Sequence, residues 1–134
     1  MNPLKIKSEQ NFTAATLLYD KALYASSIHC SYYGVFQLIK LSLHDHFGLS
    51  DQEINIKCCS NKTGSHQFIV NHVFGELQQA KVIDAYLYKK RVKDLKEQRA
   101  ASDYSEIEID QEMCKKALIM SEDLKCYLTK HLNV

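Results

Sequence analysis

YASSIHCSYYGVFQLIKLSL, residues 24–43, is the stretch on which the fold turns. Ala25, Ile28, Tyr32, Val35, Phe36, Ile39 and Leu43 recur at spacings of three and four, which sets them along one side of a helix. Tyr24, Tyr33, Leu38 and Leu41 place apolar surface on the remaining sides. A helix hydrophobic nearly all round belongs at the centre of a bundle or at a subunit interface. This helix is expected over 24–47, with Gly48 ending it.

On either side of it, one proline and four glycines in the whole chain leave little to interrupt helices. Asn2 followed by Pro3 reads as an N-cap with proline at the first helical position, and Phe12, Ala15, Leu18, Tyr19 and Ala22 give the first helix, 3–22, its apolar stripe. Beyond Gly48, Ser50-x-x-Glu53 has the form of a capping box opening a short helix. The polar run Ser60 to Gly64 then reads as the longest irregular connection. Ser65 is the expected cap of a helix over 65–80 and Asp84 of one over 84–103, the latter with Tyr88, Val92, Leu95, Arg99 and Ser102 along one seam. Asp110 is the expected cap of a helix over 110–131, striped by Met113, Ala117, Met120, Leu124, Tyr127 and His131. Antiparallel packing satisfies such stripes. The expectation is an all-α, antiparallel up-and-down bundle of about five principal helices, one domain over 1–134.

Length, a 46% hydrophobic share and a 25% charged share are those of a chain that folds around one core. A net charge of +1 excludes a global field for nucleic acid or membrane, so any electrostatic function must come from local clusters. Such clusters exist. Lys81 to Arg99 holds seven basic residues, whereas Ala100 to Glu112 holds Asp103, Glu106, Glu108, Asp110 and Glu112 and no base. No apolar run reaches the roughly 20 residues a membrane span needs, and MNPLKIKSEQ lacks the apolar core of a secretory signal. Five cysteines without a C-x-x-C pair suit reduced thiols. A cytoplasmic protein without membrane contact is expected.

Arg99 is the anomaly. It occupies the stripe of Val92 and Leu95, where a guanidinium is costly to bury unless paired, and Asp103 one turn later is the nearest partner. Tyr104 adds a hydroxyl beside it. Either the pair fixes the end of the helix, or it forms a binding or catalytic site.

At these residues a family resemblance emerges. YASSIHCSYYGVFQLIKLSL resembles the Tyr-Tyr-bearing second helix of HEPN domains (higher eukaryotes and prokaryotes nucleotide-binding). SHQFIVNHVF, residues 65–74, resembles their histidine segment leading into helix three, and LKEQRAASDY, residues 95–104, resembles their Arg-x-x-x-Asp-Tyr segment. The order is the same and the spacings are similar from Phe12 to Tyr127. The resemblance implies a HEPN-like bundle, a homodimer, nucleotide or RNA binding, and a minimal nucleotidyltransferase as a partner. Ribonuclease members carry Arg followed four to six residues later by His. After Arg99 come Ala100, Ala101, Ser102, Asp103, Tyr104, Ser105 and Glu106, without a histidine. Tyr104 takes a histidine's place, and with a reference pKa of about 10 it is the poorer acid–base group near neutrality.

Two readings result. The first is a non-catalytic module in which Arg99, Asp103, Tyr104, Tyr33 and His66 bind a nucleotide, RNA or a partner. The second is a metal-independent ribonuclease of the toxin–antitoxin kind, with Arg99 stabilising phosphorane charge and His66 or Tyr104 moving a proton; the missing spacing favours the first. His66 on its own also reads as a polar residue solvating a helix start. Tyr32 and Tyr33 diverge by about 100°, so one joins the core while the other reaches a groove or partner. Lys89, Lys93 and Lys96 share a face that either contacts phosphates or is simply solvated, laced with Asp94 and Glu97. Cys58, Cys59, His66 and His72 lack a workable tetrahedral geometry, and neither a metal nor a cofactor is expected.

Overall fold

A computed structural model describes residues 2–60 and 64–134. Six helices follow one another: α1 (Pro3–Asp20), α2 (Tyr24–Asp45), α3 (Asp51–Cys59), α4 (Ser65–Gln79), α5 (Ala85–Tyr104) and α6 (Gln111–Leu132). The described residues contain no strand. Among the described residues the helices number six, the five expected principal ones and one more. The addition is the short segment opened by Ser50, where the Ser50 hydroxyl accepts from Glu53 N at 3.1 Å and the Glu53 carboxylate accepts from Ser50 N at 2.8 Å. That reciprocal pair satisfies orphan donors and stabilises even a nine-residue helix. Of the expected irregular connection Ser60–Gly64, residues 61–63 lie outside the described residues.

Local chemistry explains most boundaries. The Asn2 carboxamide oxygen accepts from Leu4 N at 2.8 Å with Pro3 opening α1, and the Asp110 carboxylate accepts from Met113 N at 2.9 Å at the start of α6. Gly48 takes φ +70° while Leu49 N donates back to Leu43 O at 2.8 Å, the left-handed closure by which a helix turns out of its axis. One expected cap is corrected: Ser65 is already helical and Gly64 stands at the cap. Asp84 stands at the N-cap position of α5 as expected, but with a left-handed φ of 62° its carboxylate accepts none of the helix's N–H groups.

α2 is the centre. It packs against α1, α4, α5 and α6. Ile28, Tyr32, Val35, Leu38, Ile39, Leu41 and Leu43 are buried on several of its sides, so its all-round apolarity is consumed within the protomer. The apolar surface that pointed to a subunit interface is thus core. α1 approaches it closely because the seam is built of small residues. The Ser8 hydroxyl donates to Gly34 O at 2.7 Å, the Ser27 hydroxyl donates to Ala15 O at 2.6 Å, and a Cβ placed on Gly34 would stand 3.0 Å from the Phe12 ring.

Gly34 and Gly75, both inside helices, supply a matched test. Gly34→Ala should lower stability, since overpacking costs about 1–3 kcal/mol against a helix-propensity gain of about 1 kcal/mol. Gly75→Ala meets nothing within 4 Å and should leave stability unchanged or raise it by up to about 1 kcal/mol. Urea unfolding midpoints of both variants check this; equal midpoints would show that the α1–α2 seam is looser than described.

Candidate functional site

α2, α4 and α5 converge at one place. α5 contributes Arg99, whose side chain is 12% exposed, and one turn later Asp103, whose side chain is 21% exposed. Arg99 Nη1 lies 3.6 Å from Asp103 Oδ2, a loose ion pair. Asp103 is held more tightly by His29 of α2, whose Nδ1 stands 2.9 Å from Oδ2 and 3.1 Å from Oδ1. Burial and the Asp103 carboxylate both push the Cys30 thiol up, which keeps it protonated beside this pair.

The guanidinium lies among aromatic rings. Its Cζ is 5.1 Å from the centroid of Tyr32, 5.8 Å from that of Tyr33 and 5.8 Å from that of Tyr104. Contact with ring faces offsets part of the desolvation of a cation, by roughly 0.5–2 kcal/mol per ring. It leaves donors free. Arg99 Nε is buried with no hydrogen-bond partner among the described residues. A buried donor on a cation that lacks an acceptor is unfavourable.

His66 completes the site. α4 opens beside the tyrosine pair, and the imidazole stacks on Phe36 at 4.0 Å between centroids while its Nδ1 stands 3.0 Å from the Tyr32 hydroxyl. It therefore does more than solvate a helix start. Burial pushes its pKa below the usual histidine value, and the neighbouring Lys96, Arg99 and Lys40 push it the same way. Burial also raises the Tyr32 phenol to about 12, against the opposing influence of Arg99, so that the phenol keeps its proton. The Tyr32 hydroxyl and Nδ1 share a hydrogen bond whose direction follows the imidazole tautomer. His66 lies in a field set by three cations.

Of the residues expected from sequence, Arg99, Asp103, Tyr33, Tyr104 and His66 come together, Tyr104 from the rim with 78% of its surface exposed. Tyr32 is the buried member of the tyrosine pair, and it joins His66 to Arg99. Sequence reasoning missed His29 and Phe36. The signal for His29 was its position four residues before Tyr33, one turn away on the same side of the helix; the rings lie 4.7 Å apart. Comparison with family models, with curated proteins and with solved structures returned no significant match. Among the described residues, no three His, Cys, Asp or Glu side chains are grouped to hold a metal ion.

Asp103→Ala should destabilise the fold by about 1–3 kcal/mol, between the cost of breaking an exposed pair and that of breaking a deeply buried one. His29→Ala, at a side chain 46% exposed, should cost under about 1 kcal/mol. Denaturant unfolding of both distinguishes Arg99 as the carboxylate's main dependent from His29. A second outcome concerns pH. The folded chain keeps His66 neutral below the unfolded value of 6.5, so its contribution is full above that value and lost as pH falls through the depressed folded pKa. The acid limb of the stability profile should flatten in His66→Gln, and NMR titration of the ring should give a midpoint below 6.5.

Proposed function

We propose that this chain is a cytoplasmic, HEPN-like helical module of antiparallel up-and-down form that acts without catalysis, as a homodimer that binds the phosphate of a nucleotide or RNA at Arg99. A minimal nucleotidyltransferase is its proposed protein partner. The observation that carries the ligand reading is the guanidinium itself, packed among Tyr32, Tyr33 and Tyr104 and held by one loose ion pair at 3.6 Å. A phosphate oxygen pairs with it through the Nη atoms, since Nε is buried, and the exposed Tyr104 ring offers a face on which a base can stack. Tyr32 takes up Nδ1 of His66, which leaves a single ring nitrogen for contact with a ligand. Five unpaired cysteines suit a reducing compartment, and no helix among the described residues is long and apolar enough to cross a membrane.

A ribonuclease reading draws support from one geometric fact: His66 and Arg99 meet on the same Tyr32 ring although they are far apart in sequence. In that reading Arg99 holds the phosphorane charge while His66 or Tyr104 moves a proton.

Binding of a fluorescent adenine nucleotide and of a short labelled RNA tests the proposal. Arg99→Ala should weaken binding by about 10- to 100-fold, the worth of a charge-assisted hydrogen bond, with helical content unchanged. Wild-type affinity in that variant would exclude Arg99 as the ligand contact. Cleavage of the RNA in the presence of a chelator, abolished by His66→Ala, would instead establish the ribonuclease reading.

A further inference from the structure

A second feature lies along α5, N-terminal to Arg99 and adjoining its surroundings at Lys96. Val70 and Val92 floor a groove of about 470 Å3 between α4 and α5, and Tyr86, Lys89, Lys90, Lys93 and Lys96 wall it. No acid lines it. Lys90 reaches Asp94 at 3.8 Å, Lys96 reaches Gln67 Oε1 at 3.4 Å, and Lys89 stands over the Phe74 ring at 4.6 Å. Lys93 makes no ion pair among the described residues and is exposed. An apolar floor with a cationic rim fits an acidic segment that also carries apolar side chains.

The chain itself carries such a segment. Between α5 and α6, residues 105–110 read SEIEID and form no helix. Glu106 and Glu108 are exposed and make no ion pair among the described residues, and Ile107 is 63% exposed. Ile109 packs on the core and Asp110 caps α6, so the segment is fastened at its far end as a strap. Its acids repeat every second residue, about 6.6 Å apart in extended chain. Lys89 and Lys93 repeat every fourth residue of a helix, a rise of about 6 Å. The charges match in sign and in spacing.

The strap cannot reach its own groove. It leaves α5 at Tyr104, about 22 Å along the helix from Lys89, and is held at Asp110. Lys89, Lys93, Lys96, Ala100 and Tyr104 follow one another at spacings of four, three, four and four, so a single side of α5 runs from the groove to the residue that opens the strap. Two copies related by a two-fold axis across that side exchange both contacts at once.

We infer that the groove of one copy receives the Glu106–Glu108 stretch of a second copy's strap, making a reciprocal, charge-matched homodimer. This gives a location to the homodimer of the reading above and rests on that part of it alone; the seam passes Tyr104 at the rim of the Arg99 site, and the charge reversals that test it leave Arg99 and Tyr104 in place.

The test is sedimentation velocity on the full chain with charge reversals at exposed positions. Wild type should self-associate at micromolar concentration, and less so as salt rises. Lys89→Glu with Lys93→Glu should weaken association by about tenfold or more, and Glu106→Lys with Glu108→Lys should do the same, since each puts like charges face to face. An equimolar mixture of the two variants should recover association, as should a chain carrying all four reversals; circular dichroism confirms that each is folded. Recovery is a readout that misfolding cannot imitate. A monomeric wild type overturns the inference together with the homodimer. Association that ignores the reversals, or that is lost without recovery on mixing, overturns the strap and groove while leaving the homodimer and the Arg99 reading standing.

Discussion

Tyr32 joins the core of this protein to its candidate site. Its ring is among the largest fully buried side chains of α2, within the central cluster, while its hydroxyl stands at His66 Nδ1 and its face lies against Arg99. A buried phenol requires a hydrogen-bond partner, and an imidazole whose protonation is suppressed by burial is a suitable acceptor. One side chain thus couples packing to chemistry. Removing it would open a cavity and at the same stroke release the imidazole and the guanidinium from their common support.

The charge balance around Arg99 explains why the site can be both ordered and unsaturated. Its single carboxylate, Asp103, is shared with His29 and sits nearer to the imidazole than to the guanidinium. Lys40 and Lys96 add positive potential that is felt at His66. The local excess of cations is kept together by aromatic surface and by the helices that carry it, a preorganised arrangement.

The helical architecture was legible because it is written in local chemistry. Asn2 with Pro3, Ser50 with Glu53, and Asp110 each announce a helix start through a side chain that accepts a backbone N–H, and each does so. Asp84 takes the cap position without the bond because capping depends on backbone conformation as well as residue type: at φ 62° it lacks the extended backbone of a capping residue, and its carboxylate accepts none of the helix's donors. The apolarity of α2 was equally readable, but a sequence does not say whether a partner subunit or the chain's own helices will cover it. The same limit applies at the site. Arg99 and Asp103 are four residues apart on one helix and could be paired on paper, whereas His29 reaches Asp103 across 74 positions of chain, through packing that only the folded bundle supplies. His66 looked like a solvated residue because nothing local reveals Phe36 beneath it.

α3 stands apart energetically from the bundle that frames the site. It buries one side chain, Ile54, and packs on α4. Few apolar contacts and a short ladder of backbone bonds place a segment at the low end of a protein's range of opening free energies. Its amides should therefore exchange with solvent hydrogen through local unfolding, long before those of α2 lose protection. The exposed Cys59 thiol at its C-terminal end is a natural point of attachment for a label that reports such excursions. The helix it packs on, α4, carries His66 in its first turn, so the segment of lowest local stability adjoins the element that holds the imidazole stacked on Phe36.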